Sequence, residues 1–540
     1  MLDEFTPRAD DADRARVYCA DGSWTDETLG TILAAGFADA PGNTASFRSD
    51  VRPWRGTFAE AADQARRVAG GLLAAGVQPG EPVAFQIPNW PEAGFLFWAI
   101  AFIGAVPVPI VHFYGQKEVE FILRQSGARV LVTADRFGHL DYLANLETLR
   151  PQLPALEEVF VVGDSVPSGA RAFDVLRAGD PIDGPLPNDP SAPALIAYTS
   201  GTTADPKGVV HSHRTINFEI RQLSGLDANR GRPLLVGAPV GHGIGLLAAL
   251  LIPVFKRQSL YLIDVWDPGR VLAAMLEDDL SSGSGSTYFL TSLLDHPDFT
   301  PAHAERMARI GLGGSPVPAA VGERAESLGM STVRSFGSTE HPSITGAKHE
   351  MPREKRLNTD GVPMDGVVLE LRDDDDRPVG PGEPGEIWSK GPDCFIGYTD
   401  PALTKECFDA DGWFATGDVG VLDEDGFLTI VDRKKDIIIR GGENVSALEI
   451  EEQLVRLPGV AEVAVVAAPD ERLGEHGCAF LRMQPGGGPA PRLEEVRKRL
   501  EAVGLARQKW PEDVREIDEF PRTPSGKIQK FVLRERLRAE

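Results

Sequence analysis

From about Thr57 onward the hydrophobic residues follow two alternating spacings. The run FAEAADQARRVAGGLLAAGV places apolar side chains every three or four positions and predicts a one-sided helix, while PVAFQI predicts a short strand. EAGFLFWAIAFIGA then reads as a buried helix, PVPIV as a strand, EVEFILRQSGA as a helix and RVLVTA as a strand. The alternation returns in ALIAY, PLLVGA, SLYLI and ARIGLGG. Such a pattern predicts an α/β sheet domain with ligands at the carboxyl ends of the strands. After about Asn358 the texture changes. GVVLELRDDDDRPVGPGEPGEIWSKG and GWFATGDVGVLDEDGFLTIVDR predict antiparallel strands joined by Gly- and Asp-rich turns, with the acidic run at 373–376 as a solvated hairpin tip. From Arg433 a compact α+β segment follows: helix EIEEQLVRLP, strand VAEVAVVAAP and helix RLEEVRKRLEA. The expected fold is α/β: a large N-terminal domain of α/β sheets with a β-rich subdomain, residues 1–432, and a small mobile α+β domain, residues 433–540.

Composition narrows the class. The 540 residues carry 80 acidic and 55 basic side chains, a net charge of −25. That balance disfavours nucleic acid and anionic membrane as partners, since both need basic surface. Residues 433–540 hold 20 basic and 19 acidic side chains, so the acidic surplus belongs to the large domain. Four scattered cysteines without a CxxC pair point to a reducing compartment. The acidic start, MLDEFTPRADDADR, has no apolar signal-like run, and the cytoplasm is the expected location. Two uncharged stretches, 94–111 and 234–255, are broken by Gly and Pro and read as buried helix plus strand rather than membrane spans. Lysine is scarce, with 13 against 42 arginines, so a retained lysine draws attention.

The strongest chemical signal is Tyr198-Thr-Ser-Gly-Thr-Thr-Ala-Asp-Pro-Lys207-Gly208, directly after the strand ALIAY. Consecutive hydroxyls, a glycine and a lysine form a phosphate cradle in which N–H and O–H groups wrap the oxygens and the ammonium supplies charge. It is not a Walker loop, because Pro206 precedes Lys207 and Gly208 follows it. This segment resembles the phosphate loop of the adenylate-forming superfamily, which includes acyl-CoA synthetases, luciferases and peptide-synthetase adenylation domains. Other motifs of that family occur in order. Pro239-Val-Gly-His242-Gly-Ile-Gly245 is similar to PxxHxxG, Gly313-Gly314-Ser315-Pro316 to GGxP, and Phe336-Gly-Ser-Thr339-Glu340 to YGxTE. Gly412-Trp-Phe-Ala-Thr416-Gly-Asp418 matches GWxxTGD. Asp432-Arg433-Lys434-Lys435-Asp436 with Gly441-Gly442-Glu443-Asn444 resembles the hinge and its following loop, and Pro521-Arg-Thr-Pro-Ser-Gly526-Lys527 the C-terminal PRTxxGK.

The resemblance implies a reaction that joins a carboxylic acid to ATP, releases pyrophosphate and passes the acyl group to a thiol. It assigns Lys207 with Thr199, Ser200, Gly201, Thr202 and Thr203 to the phosphates. Glu340 and Thr202 would hold Mg²⁺, a hard cation suited to carboxylate and phosphate oxygens. Gly314, Ser315, Pro316, Ser335, Phe336, Gly337, Ser338 and Thr339 would line the adenine side. Asp418 would accept from the ribose hydroxyls, supported by Arg433. Lys527 would bridge substrate carboxylate and α-phosphate, while Lys435 would be the pivot that exchanges it for the Gly441, Gly442 and Glu443 loop facing CoA. His211 and His213 are expected to be structural.

Four departures from the family pattern stand near these residues: Phe336 for tyrosine, Ser335 for a polar adenine contact, Ala204 for glycine and Ala447 for proline. None removes a charged site residue. The acid's pocket is expected at His242, Gly243, Ile244, Gly314, Phe336, Gly337, Ser338 and His341. That set has no carboxylate for an amino group, so a hydrophobic carboxylic acid is the expected substrate: medium-chain, alicyclic or steroid-derived. The expected partners are that acid, ATP and CoA, with a homodimer left open. The competing expectation is an acyl-AMP ligase that loads a carrier-protein thiol.

Overall fold

The computed structural model describes residues 5–199, 206–226, 231–314, 317–434, 436–440, 443–470, 473–503, 505–522 and 528–539, without the side chains of 443, 444 and 508. The alternation read from the sequence builds a parallel five-stranded sheet in the order Val106–Pro109, Pro82–Gln86, Val130–Ala134, Glu158–Val162, Arg171–Ala172. Helix Phe58–Ala74 starts at a capping box, Thr57 with Glu60, which satisfies two otherwise orphaned amides. Helix Pro91–Phe102 is buried on every side and contributes Trp98, Phe95 and Phe97 to the largest core. It ends before Gly104, whose φ of +68° and close approach to the Asn188 amide suit only glycine.

A second sheet joins Leu235–Val236, Leu260–Ile263, Thr44–Arg48 and Trp54–Thr57. Within 234–255 the chain forms that short strand and then a helical run, Gly243–Leu246, Leu247–Leu251 and Ile252–Phe255. The middle piece widens to a π-helical turn ahead of Pro253, which has no N–H for the i→i−4 ladder. No helix among the described residues is long and apolar enough to cross a membrane.

Three further sheets carry the site. Pro193–Thr199, Lys207–Ser212 and Gly397–Tyr398 form an antiparallel set. Arg309–Gly313, Ser331–Phe336, Thr345–Gly346 and Val362–Pro363 form a mixed one. The expected β-rich subdomain is the antiparallel sheet Val368–Arg372, Pro384–Lys390, Phe414–Leu422, Leu428–Arg433. Its first turn holds the acidic run, where Asp373 accepts from the Asp375 and Arg377 amides in solvent.

Beyond Arg433 the strands Ile438–Arg440, Glu443–Val445, Val460–Asp470, Gly474–Met483 and Asp513–Glu516 make a separate sheet. Helices Ala447–Leu454 and Leu493–Ala502 share one apolar core with this sheet, and Lys530–Ala539 shares another. The architecture is the α/β arrangement expected: a large N-terminal part and a small α+β C-terminal part.

Candidate active site

The phosphate-loop motif spans a hairpin. Thr199 closes one strand, Lys207 opens the next, and the two pair directly; Ser200, Gly201, Thr202 and Thr203 lie outside the described residues. Gly208 runs so close to its neighbours that a Cβ would stand 2.5 Å from Thr399 Oγ1 and 2.9 Å from Tyr198 Cζ. Lys207 is thereby held against strand Gly397–Tyr398, with its Nζ 5.3 Å from the Tyr398 ring centroid. Tyr398 Oη donates to Glu340 Oε1 at 2.8 Å. Burial, reinforced by the Glu340 charge, raises the phenol pKa, so this group stays a donor. One aromatic ring thus meets Lys207 over its face and Glu340 at its hydroxyl.

The donor set around Glu340 suits Mg²⁺ carried by a nucleotide. Among the described residues no group of three or more His, Cys, Asp or Glu side chains could hold an ion. A single carboxylate completed by phosphate oxygens and water is a common way to bind Mg²⁺. The backbone here is fixed from several directions. The Phe395 amide donates to the Glu340 carbonyl at 2.8 Å, and His211 Nε2 reaches the Thr339 carbonyl at 2.8 Å. Gly337 passes beneath Pro342 with no room for a side chain, since a Cβ would fall 1.9 Å from its carbonyl oxygen. The amide of Ser338 donates to the His341 carbonyl, closing the turn.

His211 and His213 are structural, as expected. Burial lowers both imidazoles to about 4, so both are neutral, and His213 Nδ1 accepts from the Leu29 amide at 3.0 Å. Phe336 leans on the Leu371, Ile387 and Leu428 cluster of the β-rich subdomain, which makes an apolar ring a better fit there than a phenol. Ser335 is solvent-exposed at the end of its strand.

Asp418 and Arg433 face each other across adjacent strands, with Nε 2.9 Å from Oδ1. The Asp418 carboxylate raises the Arg433 pKa against the opposing effect of burial, and Asp436 and Glu340 add to it. The field at Arg433 therefore includes the same carboxylate that Tyr398 holds.

At the acid side, Asn89 anchors the PxxHxxG segment. Its amide donates to the Ala238 and Ile263 carbonyls, both at 3.0 Å, and accepts from the Val240 amide at 2.9 Å. Gly245 and Gly241 pack against backbone carbonyls with no space for a methyl group, so the turn before His242 is tightly set. Gly243 opens onto free space, and Ile244 is 37% exposed and reaches over Gly314, whose φ is +74°. Of the residues expected at the acid's pocket, Ile244 and Gly314 are thus brought together. His341 does not join them. Its ring is fully buried, with Nδ1 2.8 Å from Ser389 Oγ and Nε2 3.2 Å from Asp393 Oδ1, so it cannot line the acid pocket.

In the small domain, Lys435, Gly441, Gly442 and Lys527 lie outside the described residues, as do Ser315 and Pro316 and the Glu443 side chain. Asp432, just before Arg433, accepts from the Ala447 amide at 2.7 Å and so caps helix Ala447–Leu454. Tyr398, Asn89 and Asp393 were not singled out from the sequence. Tyr398 lies 58 residues from Glu340, and no local spacing relates the two.

Comparison with known proteins places the chain in a family. The profile of the AMP-binding enzyme family matches residues 37–399, and that of the AMP-binding enzyme C-terminal domain matches 449–527. The medium-chain fatty-acid–CoA ligase of Escherichia coli (strain K12) is 31% identical over 529 residues, covering 96% of this chain and 92% of that protein. A feruloyl-CoA synthase from Amycolatopsis sp is 34% identical over 484 residues, covering 89% and 94%. The crystal structure of ATP-bound MatB from Rhodopseudomonas palustris superposes with a TM-score of 0.82 at 28% identity, covering 94% of this chain and 99% of that one. The chain belongs to the AMP-binding enzyme family and is an ATP-dependent acid–CoA ligase that works through an adenylate.

Proposed function

We propose that this ligase activates a hydrophobic carboxylic acid in the cytoplasm and that its two half-reactions use opposite orientations of residues 433–540. Attack of a carboxylate on the α-phosphate brings like charges together, so the site must neutralise both partners. Lys207 and the loop hydroxyls, Thr199 among them, would hold the β- and γ-phosphates, and Glu340 would take Mg²⁺. The ion supplies charge neutralisation and orients the phosphate oxygens when bound. Asp418 would accept from the ribose hydroxyls, with Arg433 beside it. Lys527 would stabilise charge developing between carboxylate and phosphate. Turning about Lys435 would then replace it with the Gly441–Gly442 loop, whose bare backbone allows close approach of the pantetheine arm of CoA.

The observation that carries the chemistry is the contact chain from Lys207 through Tyr398 to Glu340. The acid preference rests on the apolar character of Gly243, Ile244 and Gly314, with Ile244 reaching over Gly314. Relatives that act on medium-chain fatty acids and on ferulate support the same class. A pyrophosphate-release screen over medium-chain, alicyclic, aryl and amino acids, followed by chromatography of CoA thioesters, tests the reading. Turnover with hydrophobic acids and free CoA is expected. Preference for an amino acid would refute the pocket, and transfer only to a carrier-protein thiol would favour an acyl-AMP ligase.

A further inference from the structure

The loop that carries Glu340 is flanked by buried polar side chains that the reaction does not consume. His341 follows Glu340 immediately, and its ring is clamped between Ser389 Oγ at 2.8 Å and Asp393 Oδ1 at 3.2 Å. All three residues are fully buried. The second Asp393 oxygen lies 3.4 Å from the Ser343 amide, and the Ser343 hydroxyl donates to Glu219 at 2.8 Å. Gly391 makes the clamp possible, because a Cβ there would stand 2.7 Å from His341 Nε2 and 2.9 Å from Asp393 Oδ1.

A buried carboxylate and a buried imidazole are costly to desolvate, and local stability alone would be served as well by apolar side chains of similar volume. What distinguishes this pair is its address. Asp393 stands two residues before Phe395, whose amide binds the Glu340 carbonyl, and five before Tyr398, whose hydroxyl binds the Glu340 carboxylate. One short segment therefore grips the Glu340 turn at its side chain, its backbone and its next residue.

We propose that Asp393, acting through His341 and Ser389, is a positioning residue that holds Glu340 in the orientation needed to take Mg²⁺ with the nucleotide. The proposal rests on the reading of Glu340 as the metal carboxylate given above. Outer partners that orient a metal ligand are worth about 10- to 100-fold in metal affinity. Burial and the adjacent Asp393 raise the pKa of Glu219 well above the ordinary carboxyl range, which favours its uncharged form beside Asp393.

The test is calorimetric titration of the full-length protein with a non-hydrolysable β,γ-imido analogue of ATP, with and without Mg²⁺. It compares wild type with Asp393→Asn, which keeps the shape, and with Ser389→Ala, which removes one contact. The expected result is a loss of about tenfold in the Mg²⁺-dependent gain in affinity for Asp393→Asn and a smaller loss in the same direction for Ser389→Ala. Affinity for the metal-free analogue should stay within about twofold in both. Equal loss with and without Mg²⁺ would show a merely structural role and overturn the proposal. A wild-type Mg²⁺ gain in the variants would overturn it too. If Asp393→Asn does not fold, Ser389→Ala decides by the same criterion. Absence of any Mg²⁺ gain in the wild-type protein would instead remove the reading of Glu340 itself, and the proposal with it.

Discussion

Glu219 shows at the scale of one residue how far a buried polar group can be displaced from its solution behaviour. Its carboxyl is enclosed, accepts from Ser343 and faces the Asp393 charge, so its folded pKa lies well above the reference 4.5. Between those two values the folded chain holds a proton that the unfolded chain has released. Stability contributed at this site therefore falls as pH rises from about 4.5 towards the folded-state value. Glu219→Gln keeps the acceptor for Ser343 and cannot ionise. Its apparent melting temperature should exceed that of the wild type at pH 7–8 and converge with it below about pH 4.5, as differential scanning calorimetry across that range would show. A variant that melts lower at every pH would contradict the raised pKa of Glu219. Individual roles were only partly legible in the sequence. Lys207, Glu340 and Asp418 could be singled out as candidates because each sits in a short glycine-containing motif whose backbone shape depends on neighbouring residues, and Arg433 because it stands in the basic run 432–436. Tyr398 and Asp393 could not, because burial alone gives them their partners and those partners are distant in sequence. His341 was misplaced for the same reason: adjacency to Glu340 says nothing about which way a ring turns.

At the scale of elements, strand–helix alternation was readable because hydrophobic period follows directly from which faces are covered. The N-terminal segment was less so. Helix Asp11–Ala20 has no pronounced apolar face, yet it carries a buried Arg14 whose guanidinium donates to the carbonyls of Gly391, Cys394 and Phe395. Trp24 adds a bond to the Pro392 carbonyl at 2.9 Å, and the Arg8 amide one to Ile396 at 2.8 Å. This strap binds the same segment that holds Glu340. Arg14→Met would fill much of the same volume and leave three buried carbonyls without that donor. A loss of about 3 kcal/mol is expected from unsatisfied groups of this kind. The measurement is a downward shift of the thermal transition together with earlier proteolytic cutting in 391–398. An unchanged melting profile would show that water replaces the guanidinium.

For the whole molecule, the net charge of −25 conceals an uneven distribution. The acidic surplus lies in residues 1–432, and the nearly neutral remainder holds Arg433 and Lys527, the two cations proposed to meet anionic ligands. If those two parts alternate as proposed, Lys527 serves one half-reaction only. Lys527→Ala should lower adenylate formation by about two to three orders of magnitude, the range for loss of one transition-state charge partner. Thioester formation from supplied acyl-adenylate should change little, as rapid-quench assays of the separate steps would report. Equal loss in both would sink the division of labour. The strap also has a consequence for the order of synthesis. Arg14 precedes its three carbonyl partners by 377 to 381 residues. At about 5–20 residues per second, the ribosome takes roughly 20 to 75 s to make them after the arginine has emerged. Throughout that time Arg14 lacks these three acceptors, so the strap can close only after residue 395 has been made.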